Sequence, residues 1–373
     1  MLVAPRAAYA ENITARASTE VAGYQDSTAT SVLTPTLRAG VESATAGWGV
    51  DGRYLADVVT AASPDIVATA SPRWTEVRNA GSLNARYKPG NYGFAISGVT
   101  SYTPDYLAIG FGGGLTQDLD EKNLTLLEGY TYGHDTIGRT GTPFSVFSHT
   151  LEDHAFNAGV SRVVNPSLVI AVYGDVVLEN GDQSKPYRYV PIFAADDVSR
   201  IKPGASIADI SELRIQARPL EQLPLSRQRF ATTGRLSWRG EHTALRVEER
   251  LYTDSWALKA STTDARYFID IGKRVVVWPH ARLHVQSGVS FWKLAYAGAT
   301  DALPAFRTGD RELSPLTNVG AGGGVRVALG KAGSTEDLVW ITSFDGAWTA
   351  FSQTIYVKER FSGLVATGLE VAF

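Results

Sequence analysis

The sequence predicts an all-β chain folded as a transmembrane, antiparallel, up-and-down β-barrel of about sixteen strands, or fourteen if one hairpin is lost. Three observations predict it. Long segments alternate apolar and polar residues with a period of two. Short turn signals alternate with longer connections along the chain. No stretch approaches the run of about 20 apolar residues that a membrane helix requires.

The alternation is plainest in two consecutive segments. Arg227, Arg229, Ala231, Thr233, Arg235, Ser237 and Arg239 share one cationic face, and Gln228, Phe230, Thr232, Gly234, Leu236 and Trp238 share a mostly apolar one. After the hairpin turn Gly240-Glu241-His242, Leu245, Val247 and Leu251 oppose Arg246, Glu248, Arg250, Tyr252 and Asp254. The same pattern sets Ala265, Tyr267, Ile269 and Ile271 against Asp264, Arg266 and Asp270, and Leu283, Val285, Val289 and Phe291 against Arg282, His284 and Gln286. An apolar face for lipid and a polar face for a lumen is the pattern a spanning barrel requires.

Turn residues then punctuate the chain. Short connections fall at 44–47, Lys88-Pro89-Gly90-Asn91, 118–122, Asn165-Pro166, Gly240-Glu241-His242, Trp278-Pro279 and 330–336. Strands are placed near 15–26, 31–43, 48–60, 77–88, 92–103, 106–117, 123–135, 149–163, 167–179, 227–239, 243–254, 257–275, 281–293, 315–329, 337–350 and 362–373. The long connections, 61–76, 136–148, 180–226 and 294–314, then share one end of the barrel, expected to be external. The longest carries Tyr187, Tyr189, Ile192 and Phe193 and a helix-like stretch near 207–215. It is expected either to fold inward as a plug, its acids Asp182, Asp196, Asp197, Asp209, Glu212 and Glu221 meeting Arg229, Arg235, Arg246 and Arg250, or to pack on itself as an external lid.

Composition agrees. The 373 residues show no linker, so 11–373 reads as one domain. There are 36 Gly, 16 Tyr, 14 Phe and 8 Trp against one Met, a balance that favours turns and aromatic strands over helices. A net charge of −3 excludes a nucleic-acid surface, and the absence of Cys excludes disulfides, thiolate metal sites and thiol nucleophiles. Ala8-Tyr9-Ala10 before Glu11 has the small-x-small form of a signal-peptidase site, so residues 1–10 read as the remnant of a signal peptide that starts upstream. An Ala-rich frayed terminus is the alternative.

At the other end Val365, Thr367, Leu369, Val371 and Phe373 share one face, against Ala366, Gly368, Glu370 and Ala372. A final strand with a terminal aromatic resembles the signal read by the bacterial barrel-assembly machinery, with Val365, Leu369, Val371 and Phe373 as its elements. That resemblance implies the outer membrane of a Gram-negative bacterium, with its lipid and that machinery as partners.

Five motifs in order carry a wider likeness: Asp57-Val58-Val59-Thr60-Ala61-Ala62-Ser63-Pro64, Ser101-Tyr102-Thr103-Pro104-Asp105-Tyr106, Lys122-Asn123-Leu124-Thr125-Leu126, Tyr252-Thr253-Asp254-Ser255-Trp256, and the run from Trp278 through Pro279, His280, Ala281, Arg282, Leu283, His284, Val285 and Gln286 to Ser287. Together they resemble an uncharacterised Gram-negative outer-membrane β-barrel family, catalogued as a domain of unknown function. The likeness covers most of the chain and implies an exported barrel with no catalytic residues to carry over. The family tends to an acidic pair where this chain has Asp254-Ser255, and to Tyr where it has His284.

Candidate pore-lining residues are Arg38, Asp51, Arg53, Asp175, Arg229, Arg235, Arg246, Glu248, Arg250, Asp264, Arg266, Asp270 and Arg282. Rings of such charges select solutes in some pores, while in others they hold the wall together. His134-Asp135 and Glu152-Asp153-His154 sit on neighbouring strands and supply the groups for acid–base or metal chemistry. Adjacent strand residues face opposite sides, however, so each His shares a face with only one neighbouring acid. The glycine runs at 110–114 and 320–324 lack the last glycine and the helix of a dinucleotide fingerprint and read as strand glycines. No cofactor or metal is called for. The expected role is a porin-like passive or selective channel for a small solute. The alternative is a non-conducting scaffold or binding partner in an envelope assembly, and the remote alternative is a barrel-borne hydrolase.

Overall fold

A computed structural model describes residues 13–70, 73–299, 301–330 and 337–373; the signal-peptide expectation at 1–10 lies outside the described residues. The chain runs through β1 (Ile13–Asp26), β2 (Thr30–Ser43), β3 (Trp48–Ala61), α1 (Pro64–Thr69), β4 (Trp74–Tyr87), β5 (Tyr92–Thr103), β6 (Tyr106–Leu119), β7 (Leu124–Ile137), β8 (His149–Asn165) and β9 (Leu168–Gly181). It continues through β10 (Ile192–Phe193), α2 (Ile207–Leu213), β11 (Ser226–Arg239), β12 (Thr243–Asp254), β13 (Lys259–Ile271), β14 (Val275–Gln286), β15 (Tyr296–Ala297), β16 (Leu316–Gly330), β17 (Asp337–Phe351) and β18 (Glu359–Ala372). All but β10 and β15 form one closed antiparallel barrel of sixteen strands in sequence order, sealed by β1 against β18. Closure satisfies every strand's backbone without an edge, the condition for crossing a bilayer with strands. At the seam the Phe373 N–H donates to Ala15 O at 2.9 Å.

The register sorts the side chains as alternation requires. Ion pairs that skip over an intervening strand, such as Arg250 of β12 to Asp175 of β9, fix the charged face as the lumenal one. The other face carries large apolar groups such as Ile96, Phe111, Leu83 and Leu37, all more than half exposed. An apolar surface that continues around a closed wall exceeds what an aqueous protein tolerates, and a bilayer is the solvent it fits. Outward aromatics gather at both rims, with Trp48, Tyr87, Tyr92, Trp238 and Trp340 near the short-turn end and Tyr102, Tyr132, Trp348 and Phe361 near the loop end. These are the interfacial girdles of a spanning barrel. Leu236 and Trp238 face outward and Arg235 inward, as the alternation predicts. Leu236→Arg should therefore cost more than Arg235→Leu, and less than the roughly 2–4 kcal/mol of a midplane arginine because Leu236 lies two residues from the Trp238 girdle. Urea unfolding in lipid checks it, and equal costs at the two positions would mean the faces are inverted.

Several boundaries differ from the sequence expectation. Trp278-Pro279 is not a turn: both lie inside β14, and the reversal is made at Gly272, whose φ is +62°. The β-branched run Val275, Val276, Val277 extends the strand towards the short-turn end, and left-handed glycine is the stronger turn signal. Val289 and Phe291, expected on the lipid face of that strand, leave the wall after Gln286; Val289 is buried with Leu223, Trp256 and Leu258, and Phe291 packs against that cluster. β4 begins at Trp74, three residues before the expected start at 77, and α1 was not foreseen although Ser63-Pro64 supplies an N-cap position and an N1 proline. The turn expected at 330–336 falls outside the described residues beyond Gly330.

Candidate functional site

The lumen and the structure that covers its loop end together make the site. Every pore-lining candidate lies on the lumenal face of the register. Most are engaged along the wall: Arg229 with Glu179 at 2.7 Å, Arg250 with Asp175 at 2.7 Å, Arg235 Nε with Glu248 at 2.7 Å, Arg246 Nε with Glu248 at 2.6 Å, Arg239 with Asp270, and Asp51 with the Asn84 amide at 2.9 Å. Asp264 meets Arg266 at 3.4 Å and His280 at 2.8 Å. Among the described residues Arg38, Arg53 and Arg282 reach no carboxylate within ion-pair distance. Along this laced wall Arg38, Arg53 and Arg282 lie near mid-height outside ion-pair distance of any carboxylate among the described residues, with Asp264 directly opposite Arg282. Two recesses of about 480 Å³ each open on it, one beside Arg38 and Arg53 and one beside Arg235, Arg246 and Arg282.

Strand alternation would have found one lumenal group that the misplaced turn hid. His280 lies between two carboxylates, Nε2 to Asp264 at 2.8 Å and Nδ1 to Asp345 of β17 at 2.7 Å, spanning β16. Gly322 and Gly324 make this possible, because a Cβ at Gly322 would stand 2.3 Å from Asp345 Oδ1 and one at Gly324 would stand 2.2 Å from the Trp278 ring. The glycine run is thus a floor for neighbouring large side chains, the close-approach use of a strand glycine.

The acids of 182–225 do not meet the lumenal arginines. Asp182 pairs with His149 at 3.1 Å, Asp197 with Arg200 at 2.7 Å, Asp209 caps α2 through Ser206, and Glu221 accepts from Thr308 at 2.6 Å. The expected pairing with Arg229, Arg235, Arg246 and Arg250 fails because each of those already has a carboxylate on the wall. Instead 182–225 packs with 61–70, 287–299, 301–315 and 352–358 into a cap. β10 pairs in parallel with β15, and Phe193, Ile201, Ile210 and Ala295 form a small core of the cap's own. The cap sits on the loop-end lumenal layer, where Ala61, Leu316, Thr349 and Phe351 are buried. The segment thus packs on itself and on the neighbouring loops of this end.

Charge ties the cap together. Arg188 bridges Asp310 at 2.8 Å and Glu221 at 3.4 Å, Arg311 reaches Asp65 at 2.7 Å, and Arg360 of β18 holds Glu312 at 2.9 Å. Burial pushes the Tyr296 hydroxyl up to about 12. Burial also works to raise the Asp310 carboxyl, but Arg188 and the Glu312 N–H outweigh it and hold the group below its ordinary value. A depressed carboxyl stabilises the cap at neutral pH and down through the unfolded value of about 4, and the contribution is lost as pH falls through the lower folded value. Amide exchange in 287–315 should accelerate only below about pH 4, and Asp310→Asn should show the fast rate already at neutral pH. Loosening of the wild type between pH 5 and 7 would contradict this role for Asp310.

The acid–base residues are split by the wall. His134, Glu152 and His154 face outward with Tyr130 and Tyr132, the His134–Glu152 distance being 3.6 Å, whereas Asp135 and Asp153 face the lumen. No group of metal-ligand side chains is assembled among the described residues. Also outward is Glu249, which the sequence reading passed over; it accepts hydrogen bonds from Ser261 and Thr263.

Among solved structures, the outer membrane protein OprD of Pseudomonas aeruginosa is similar with a TM-score of 0.45 at 7% identity, over 97% of this chain and 96% of that one. OccK5 of the same organism gives 0.43 at 10% identity, over 98% and 100%. The siderophore receptor PirA of that organism gives 0.44 at 9% identity over 96% of this chain, which spans 61% of the receptor. No curated protein matches the sequence. A family model described as a protein of unknown function, DUF3570, matches residues 17–337, and the chain belongs to that family.

Proposed function

We propose that the protein is a porin-like channel of a Gram-negative outer membrane, delivered there by the barrel-assembly machinery, with the cap on the external side and a lumen that favours small anionic solutes. The observation that carries the reading is the set Arg38, Arg53 and Arg282, guanidinium groups without carboxylate partners on a wall where the other candidate arginines have them. A sixteen-strand barrel is wide enough for an aqueous path, and uncompensated positive charge in a confined lumen raises the local concentration of anions. The cap's own core and ion pairs favour a second reading, a barrel closed at its mouth that serves as scaffold or binding partner in an envelope assembly. A hydrolase finds no support in the geometry, since the two histidines and Glu152 stand on the opposite side of the wall from Asp135 and Asp153.

Swelling of liposomes that contain the refolded chain separates these readings. Gluconate should enter several-fold faster than glucosamine, a cation of similar size. Equal rates would remove the anion preference. No swelling with either solute, even after 182–225 is shortened, would leave the scaffold.

A further inference from the structure

Across four neighbouring strands the register places Ser18, Arg38, Arg53 and Ser82 in one lumenal row, Ser18 opposite Arg38, Arg38 opposite Arg53, and Arg53 opposite Ser82. Like charges directly opposite on adjacent strands destabilise a sheet. Of the nearby acids, Glu20 stands opposite Thr36, diagonal to Arg38 and outside ion-pair distance of it. Glu42 is held by Arg16 at 3.1 Å and by Arg86, and Asp51 by Asn84 at 2.9 Å with Arg86 at 3.8 Å. Glu370 ends the row beyond Ser18, two strands from Arg38. The row, with Gly40 next along β2 from Arg38, opens on the recess of about 480 Å³.

We propose that Arg38 and Arg53 form an oxyanion subsite, the two guanidinium forks taking a carboxylate or phosphate group between them while the Ser18 and Ser82 hydroxyls donate from the flanks. Guanidinium groups match such oxygens in plane and in pairs, and a bound anion supplies the counter-charge the wall omits. The inference deepens the channel reading and rests on it for a role in passage, but binding itself needs no conduction.

The test is equilibrium binding of inorganic phosphate and of succinate to the detergent-solubilised full chain, with chloride present to hold ionic strength constant. Arg38→Gln/Arg53→Gln should weaken binding by roughly tenfold or more, while Lys202→Gln/Lys273→Gln, which removes the same net charge from the cap and a turn, should leave it unchanged. Because the double glutamine variant relieves a like-charge contact, it should fold and unfold at a temperature no lower than the wild type at low anion concentration. Ser18→Ala/Ser82→Ala gives a smaller loss and serves if the first variant does not fold. Tighter binding of phosphate or of succinate identifies the preferred oxyanion. Undiminished binding in both the arginine and serine variants, or equal loss in the lysine control, overturns the subsite. Binding without conduction would keep the subsite and remove the channel; conduction without binding would do the reverse.

Discussion

Shortening 182–225 to a tight turn between β9 and β11 raises single-channel conductance several-fold, the largest functional change expected from any alteration of this chain. The segment supplies Phe193, Ile201 and Ile210 to the cap's core and Arg188 and Glu221 to its ion pairs, so 287–299 and 301–315 lose their packing partner when it goes. The wall stands independently, because β9 and β11 pair directly over Ser226 to Trp238 and the barrel closes without the cap. What changes is the mouth, where Ile355 and Tyr356 lose the packing of Phe193, Ile201 and Ile210. Identical conductance before and after shortening would show that the cap does not restrict the path.

Asp254→Ala is expected to have the largest effect on stability, about 3–5 kcal/mol, because it strands a buried guanidinium. The Asp254 side chain is fully buried. One oxygen accepts from the Trp256 N–H at 2.9 Å and the Leu258 N–H at 3.0 Å, and the other from Arg227 Nε at 2.9 Å and the Tyr252 hydroxyl at 2.9 Å. Arg227 lies 4.2 Å over the Trp256 ring, whose indole N–H donates to Ser226 O at 2.9 Å. This cluster folds the β12–β13 turn down against the cap. Asp254→Asn keeps the backbone acceptor and should cost less. Urea unfolding of the refolded chain measures both, and a loss under about 1 kcal/mol for the alanine variant, the level of an exposed pair, would contradict the assignment.

That cluster also shows how much was legible from sequence. Tyr252-Thr253-Asp254-Ser255-Trp256 was recognisable as a motif, with Asp254-Ser255 where the family it resembles tends to an acidic pair. The structure gives Asp254 a turn-forming role and uses the Ser255 hydroxyl as acceptor for the Gln228 N–H at 3.0 Å. A carboxylate that closes a turn and one that binds a solute are the same letter until its partners, here Arg227 and two amides, come from elsewhere in the chain. The wall was legible because its signal is local: alternation fixes a face and turn residues fix a register, so the strand count and the lumenal set follow from neighbours in sequence. β14 differed at both ends: at its start a Pro in a strand imitated a turn and Gly272 went unnoticed, and at its end Val289 and Phe291 continue the alternation but pack into the cap. The cap was not legible, because its core joins Phe193 to Ala295, and its ion pairs join Asp65 to Arg311, over separations with no periodic pattern. Which arginines are free to meet a solute was likewise hidden, since Arg38 and Arg235 look alike in sequence and differ only in whether a carboxylate such as Glu248 reaches them across strands.

Planar-bilayer recording of the refolded chain under a salt gradient tests the aqueous, arginine-marked lumen most directly. Discrete conductance steps are expected, with a reversal potential on the anion side that moves towards zero in Arg38→Gln/Arg53→Gln and steps that enlarge when 182–225 is shortened. A lipid-inserted chain that gives no steps, intact or shortened, or one whose reversal potential favours cations, would contradict it.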